Sequence, residues 1–126
     1  MCFLFCRLVE CLALAKLPLK PAQHKQLHSS IDENLRHPTA SIQSAACSAL
    51  AAFTATYMPT GDAEAVNRTS DKYLGLLTDP NVAVKRGAAA ALGALPKWLL
   101  EPLSRQILAG LAAATQVWHC GRHTTH

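Results

Sequence analysis

The stretch DPNVAVKRGAAAALGAL, at residues 79–95, is built from alanine, glycine and aliphatic residues behind a short turn. The stretch HPTASIQSAACSALAAF, at residues 37–53, is a looser copy of it. A shift of 42 positions, from 38 to 80, superimposes the two without a gap and places Pro38 over Pro80. The same shift pairs the apolar residues Ile42 with Val84, Ala46 with Ala88, Ala49 with Ala91, Leu50 with Leu92 and Phe53 with Leu95. The gapless match favours an internal repeat over two unrelated alanine-rich helices in a bundle.

A period near 42 that contains two helices is typical of HEAT and armadillo repeats. Small residues on the second helix of each pair would let successive pairs pack closely, so we expect Ala46, Ala49, Ala88 and Ala91 to be buried. The Asp79 carboxylate stands in the turn of the second copy, with a lysine six residues later, which is the HEAT pattern.

The turn of the first copy departs from this pattern. It carries His37 and Gln43 where the second copy carries Asp79 and Lys85, and the first pair cannot form the same ion pair. We therefore expect Asp79 to cap its helix or pair with a base, and His37 not to do so. On this pattern the chain is interpreted as HEAT rather than armadillo.

Prolines and turn residues divide the remaining sequence into helices that each have one apolar face. No stretch shows a sustained period of two, so we predict an all-α protein, an α-solenoid of about six helices. The other expected buried residues are Leu4, Leu8, Cys11, Leu12 and Ala15 in the first helix; Leu27, Ile31 and Leu35 in the second; Ala45 in the third; Val66, Tyr73, Leu74 and Leu77 in the fourth; and Leu100, Leu103, Ile107, Leu111 and Ala114 in the sixth.

The predicted organisation is two repeats with a half repeat on each side. The repeats span 21–58 and 62–96, an apolar helix at 1–18 and a helix at 99–116 are the half repeats, and 117–126 is a flexible tail. The first helix is very apolar and the last has no evident partner, so we expect exposed apolar surface at both ends. An isolated chain of this kind should self-associate, because each repeat buries its face only against the next.

Composition narrows the classes of function. The net charge is +4, but the basic residues are scattered, which argues against a nucleic-acid footprint. Charged Arg7 and Glu10 interrupt the apolar start of the chain, so we expect no membrane span. Five cysteines form an odd set without paired spacing, which favours a reducing compartment over a disulfide framework.

No motif for catalysis, phosphate binding or a bound cofactor stands out, so we predict a non-enzymatic protein without catalytic, cofactor or metal sites. Cys47 is a conceivable nucleophile, but it lies among small packing residues, where an inert buried thiol is commoner. The last residues, His119, Cys120, His123 and His126, have zinc-like spacing. A tail with incidental metal affinity is the preferred interpretation.

Several stretches resemble the C-terminal HEAT region of the tubulin-specific chaperone D family, also called tubulin folding cofactor D. The resemblance covers roughly residues 7–115. It rests on LALAKLPLK at 12–20, NLRHPTASIQSAACSALAAF at 34–53, DPNVAVKRGAAAALGALPKWLL at 79–100 and LSRQILAGLAAAT at 103–115. Its most specific motif is ALGALPKWLL at 91–100, and the ending QVWHCGRHTTH at 116–126 departs from the family.

The resemblance implies a fragment of a large cytoplasmic, cytoskeleton-associated α-solenoid. Such a protein binds β-tubulin, works with tubulin folding cofactors C and E in heterodimer assembly, takes part in stimulating tubulin's GTP hydrolysis and binds a small Arf-like GTPase. The alternatives are a generic HEAT scaffold, in transport or nuclear import, and a basic HEAT domain that contacts nucleic acid.

Overall fold

The computed structural model describes residues 2–58, 63–101 and 104–123, and within these ranges it contains helices and turns but no strand. The predicted all-α class is therefore confirmed. The helices are α1 (Cys2–Leu14), α2 (Pro21–Leu35), α3 (Ala40–Tyr57), α4 (Ala63–Leu76), α5 (Val82–Ala94), α6 (Lys97–Leu100) and α7 (Ser104–His123). No helix in the described ranges combines the length and the apolarity that crossing a membrane requires.

The helices of the two hairpins, α2–α3 and α4–α5, begin at equivalent positions. From Pro21 to Ala63, and again from Ala40 to Val82, the separation is 42 positions. The buried side chains of the two hairpins are separated by the same 42 positions. The equivalent buried pairs are Ile31 and Tyr73, Leu35 and Leu77, Ala46 and Ala88, Ala49 and Ala91, Leu50 and Leu92, and Phe53 and Leu95. The expected burial of the four alanines is confirmed, while the stacking of the hairpins as a HEAT solenoid stays a prediction.

Helix α3 lies at the centre of the described core, where it packs against α1, α2 and α5. Its carboxyl end is tied to the end of α1 by side-chain hydrogen bonds. The Tyr57 hydroxyl donates to the Leu17 carbonyl at 2.6 Å and to the Leu12 carbonyl at 3.2 Å, and Thr56 Oγ1 donates to the Ala13 carbonyl at 3.1 Å. The Leu12 and Ala13 carbonyls belong to the last turn of α1, where they also accept backbone hydrogen bonds from the Leu17 and Lys16 amides. Helix α4 packs against α5 and α7.

The buried face of α1 is not the predicted one. Cys6, Val9 and Ala13 are buried against the core. Leu4 and Leu8, by contrast, are 70% and 59% exposed, Cys11 and Ala15 are exposed, and Leu12 is half-buried. Apolar residues occur on every side of this helix, so periodicity could not select the face. The smaller side chains face α3, whose own surface is rich in alanine, and small residues allow close approach of two helices.

The turns that precede α3 and α5 have equivalent hydrogen bonds, which corrects the expectation that Asp79 caps its helix and that His37 behaves differently from it. Asp79 Oδ1 accepts a hydrogen bond from the Asn81 amide at 2.9 Å, and His37 Nδ1 accepts one from the Thr39 amide at 3.0 Å. The N-cap of α5 is Asn81, whose Oδ1 accepts from the Ala83 amide at 2.9 Å. Asp79 therefore stabilises the turn and does not cap the helix, and an unprotonated imidazole nitrogen performs the same task in the first copy.

Gln43, which is only 4% exposed, connects the two hairpins by hydrogen bonds. Its Nε2 donates to the carbonyls of Leu35 and Ala83, each at 2.7 Å, and its Oε1 accepts from Arg86 Nε at 2.6 Å. Arg86 also donates to the Pro38 carbonyl at 2.9 Å. Gly87 allows this close approach, because a Cβ there would strike the Leu35 carbonyl.

The carboxyl-terminal part differs from the predicted helix at 99–116. A proline at 96 begins the short α6, and α7 then continues through His123, past the expected start of a tail at 117. The sequence from 112 to 120 contains no proline or glycine, so nothing stops the helix where we expected its end. Ile107 is buried as expected, whereas Leu100 and Leu111 are only half-buried. The side chains of Val66, Leu103 and Ala114 lie outside the described residues.

Candidate functional site

A network of polar side chains connects α2 to α4, and the Asp32 carboxylate lies at its centre. Lys72 Nζ lies 2.7 Å from Asp32 Oδ2, and the Tyr73 hydroxyl donates to Asp32 Oδ1 at 2.7 Å. His28 Nε2 lies 3.3 Å from the Tyr73 oxygen and 3.2 Å from Lys72 Nζ. Asp32 is mostly buried, and a buried carboxylate needs such partners because it has lost its water. The network thus holds Lys72 and His28 in fixed positions.

Burial and charge together control the protonation of this network. Burial, followed by the positive charge of Lys72, lowers the pKa of His28, while the Asp32 charge opposes the shift in part. Burial raises the pKa of Tyr73, and the charge and hydrogen bond of Asp32 raise it further. Tyr73 therefore remains a hydrogen-bond donor, and the neutral form of His28 is favoured. Lys72 also lies over the Tyr73 ring, with Nζ 4.9 Å from its centroid.

Beside the network lies an open groove of about 590 Å³, which we call the α2–α4 groove. Its lining comes from α2 and α4 on the sides and from the end of α3 beneath. The lining residues are Pro21, His24, Lys25 and His28 from α2, Phe53, Tyr57 and the adjoining Met58 from α3, and Arg68, Thr69 and Lys72 from α4. Lys25 and Arg68 are exposed at the rim, and the described lining includes no carboxylate.

The base of the α2–α4 groove is a cluster of aromatic rings. The Phe53 and Tyr57 centroids lie 5.3 Å apart, and His24 lies 5.1 Å from Tyr57 and 6.0 Å from Phe53. His28 lies 5.5 Å from Phe53. The rings are tilted or edge-on to one another, which is the arrangement favoured by aromatic quadrupoles. The groove thus combines an aromatic base with a cationic rim.

Cys47, which the sequence analysis named as a conceivable nucleophile, does not line the α2–α4 groove. Cys47 is half-buried on α3 among the residues Ala40, Ser44, Arg86 and Ala90, and burial raises the pKa of its thiol. The protonated form, which is a weak nucleophile, is therefore favoured. No cluster of potential metal ligands occurs among the described residues.

The structure describes only part of the four residues that have zinc-like spacing at the end of the sequence. The backbone of His119, Cys120 and His123 belongs to α7, but their side chains lie outside the described residues, as does the whole of His126.

The sequence did not predict the α2–α4 groove. Asp32 follows the apolar Ile31 on α2, so it reads as an ordinary solvent-facing acid, and its partners are some forty positions away. The two copies differ at these positions, since under the shift of 42 Asp32 falls opposite Leu74, and His28 opposite Ser70. This difference alone does not identify Lys72 and Tyr73 as the partners of Asp32.

No protein-family model matches the chain, and no solved structure matches it.

Proposed function

We propose that the chain is a protein-binding module made of successive HEAT-type helical hairpins, and that β-tubulin is its partner, as the resemblance to the tubulin folding cofactor D family implies. It would act by contact alone, without a bound cofactor or a catalytic step. Tubulin folding cofactors C and E and a small Arf-like GTPase are the further partners that the same resemblance suggests, in a cytoplasmic, cytoskeleton-associated setting.

The observation that carries the proposal is the repetition of the hairpins. Helices α2 and α4, and α3 and α5, begin at equivalent positions 42 residues apart and bury equivalent side chains. Helical hairpins that pack in series produce an extended surface suited to large protein partners. The hydrogen bonds of Gln43 and Asp32 between the copies make that surface rigid, which reduces the entropy lost on binding.

A pull-down with purified tubulin heterodimer tests the proposal. The chain is immobilised, and we expect it to retain tubulin at physiological salt. An unrelated helical protein of similar basicity is the matched control, because the sequence pI is about 9.0 and charge alone attracts acidic proteins. Equal retention by both proteins, or none by the chain, would contradict the tubulin assignment.

A generic HEAT scaffold is the second candidate function. It is favoured by the same repetition, which helical-hairpin proteins of many functions share, and the resemblance assigns no tubulin-contacting residue in this chain. The pull-down therefore includes an importin-type cargo and duplex DNA. Retention of the cargo in place of tubulin would support the generic scaffold, and retention of DNA would support the nucleic-acid alternative.

A further inference from the structure

We propose that the α2–α4 groove binds an acidic segment of a partner protein, with an apolar side chain of that segment seated on the aromatic base. The inference rests on the proposed function as a protein-binding module, and it adds the place and the chemistry of the contact. Three observations carry it: the charge of the rim, the nature of the base and the fixed positions of the Tyr57 and Lys72 side chains.

The charge of the rim is one-sided. Lys25 on α2 and Arg68 on α4 are exposed on opposite sides, and the described lining contains no acid to neutralise them. Asp32, the nearest carboxylate of the adjoining network, is mostly buried and already bonded to Lys72 and Tyr73. Two exposed cations facing one groove attract carboxylates, and Arg68 offers a geometry that can hold a carboxylate by two parallel hydrogen bonds.

The base supplies an apolar contact of limited size. Tyr57, His24 and His28 are half-buried, so their rings remain partly open to the groove, whereas Phe53 beneath them is only 3% exposed. An aliphatic side chain can cover the partly exposed rings and release their water. Phe53 presents almost no free face, so it does not itself offer a stacking surface to a nucleobase.

The number of cations at the rim favours a peptide over a nucleic acid. Nucleic-acid affinity depends on neutralising many phosphates along a strand. The rim offers Lys25 and Arg68, and the third cation, Lys72, is already paired with Asp32. Such a small set of cations suits a few carboxylates next to one anchoring side chain.

The groove is also held in its open shape before any partner arrives. The Tyr57 hydroxyl is bonded to Leu12 and Leu17, and Lys72 is held by Asp32. Neither side chain has to be ordered on binding, and this lowers the entropic cost of the complex.

The test is fluorescence anisotropy with the full chain and a short labelled peptide of glutamates with a single central leucine. We expect saturable binding that weakens as salt is raised, because exposed charges are screened. The double variant Lys25→Glu, Arg68→Glu should bind about tenfold more weakly, as expected when two rim charges are reversed. The charge-matched control Lys97→Glu, Arg105→Glu, which changes exposed residues of α6 and α7, should bind like the wild type. Circular dichroism confirms that both variants are folded.

Three further probes define the recognised chemistry. Replacing the leucine by glycine, or the glutamates by glutamines, should each weaken binding. An oligothymidylate of the same length should compete poorly. Equal losses in the two double variants, an unchanged affinity for the glutamine peptide, or effective competition by the oligothymidylate would each overturn the proposal.

The tubulin pull-down separates this inference from the proposed function. Retention of tubulin by a chain that does not bind the acidic peptide would overturn the groove assignment and leave tubulin binding intact. Peptide binding that depends on Lys25 and Arg68, in a chain that does not retain tubulin, would support the groove and contradict the tubulin assignment.

Discussion

The hairpins α2–α3 and α4–α5 agree at the positions that build each hairpin and differ at the positions that join them. Helix starts and buried apolar residues are equivalent across the shift of 42. The joining residues are not repeated. Asp32 and Gln43 in the first copy correspond to Leu74 and Lys85 in the second, and Gly87 in the second corresponds to Ala45 in the first.

Hydrogen bonds between the two hairpins use side chains at positions where the hairpins differ. The first hairpin supplies the acceptors, namely the Asp32 carboxylate, Gln43 Oε1 and the Pro38 carbonyl, and the second hairpin supplies the donors Lys72, Tyr73 and Arg86. Gln43 also donates in the opposite direction, to the Ala83 carbonyl of the second hairpin. These bonds join non-equivalent positions of the two hairpins, because Lys72 and Tyr73 correspond to Ser30 and Ile31 under the shift of 42 and not to Asp32.

The largest expected change in the free energy of unfolding comes from a substitution at Gly87, where the two hairpins are in contact. A Cβ there strikes the Leu35 carbonyl, which belongs to rigid backbone, so Gly87→Ala should lower the free energy of unfolding by about 1–3 kcal/mol. Gly93 lies in the same helix, and a Cβ there meets nothing within 4 Å. Gly93→Ala should therefore stabilise the chain by about 0.5–1 kcal/mol. Urea denaturation of both variants measures the difference, and effects of the same sign would contradict the close approach of α5 to α2.

Removing the Gln43 side chain tests the same junction through its hydrogen bonds. Gln43→Ala leaves the carbonyls of Leu35 and Ala83 and the Arg86 guanidinium without this partner, at an expected cost of about 1–3 kcal/mol. Gln26→Ala on the exposed side of α2 is the matched control and should change stability by less than about 0.5 kcal/mol. A cost for Gln43→Ala as small as that of its control would mean that solvent replaces the lost bonds.

The third prediction concerns His28, whose equivalent in the second copy, Ser70, does not titrate in the accessible pH range. Because the folded chain lowers the pKa of His28, the unfolded chain binds the proton first as pH falls below about 6.5. The free energy of unfolding should then decrease, with a slope from this residue of at most about 1.4 kcal/mol per pH unit, until the folded pKa is passed. His28→Gln should remove this part of the slope, as measured by thermal melts across the acid range, while Ser29→Ala should keep it. An unchanged slope in His28→Gln would assign the pH dependence to other groups.

The smallest expected change in the free energy of unfolding distinguishes the N-cap residues of α3 and α5. The Asn81 side chain accepts a hydrogen bond from the α5 backbone, whereas Thr39, the equivalent residue, makes no side-chain bond to α3. Asn81→Ala should therefore cost about 1 kcal/mol, and Thr39→Ala less than about 0.5 kcal/mol. Equal losses in chemical denaturation would show that Thr39 caps α3 in solution.

The sequence predicted the helical class, the shift of 42 and the buried alanines, because each depends on local periodicity. It did not predict the buried face of α1, where Leu8 and Val9 are equally apolar and only contact with α3 distinguishes them. It also missed the role of Asp32, since a single acid on a helix carries no sign of a tyrosine and a lysine about forty positions away. The α2–α4 groove depends on such non-local contacts, so periodicity alone could not reveal it.

The Gln43 carboxamide makes the junction between the two hairpins sensitive to deamidation. Deamidation would replace Nε2, which donates to the carbonyls of Leu35 and Ala83, by an oxygen facing both of them. The new carboxylate would keep its bond to Arg86 but repel the two carbonyls, so a change that hardly alters side-chain volume would loosen the two hairpins. Burial shields the amide from water while the chain is folded, and each unfolding event exposes it. Deamidation of Gln43 would thus accumulate with the number of unfolding events and weaken the contact between the two hairpins.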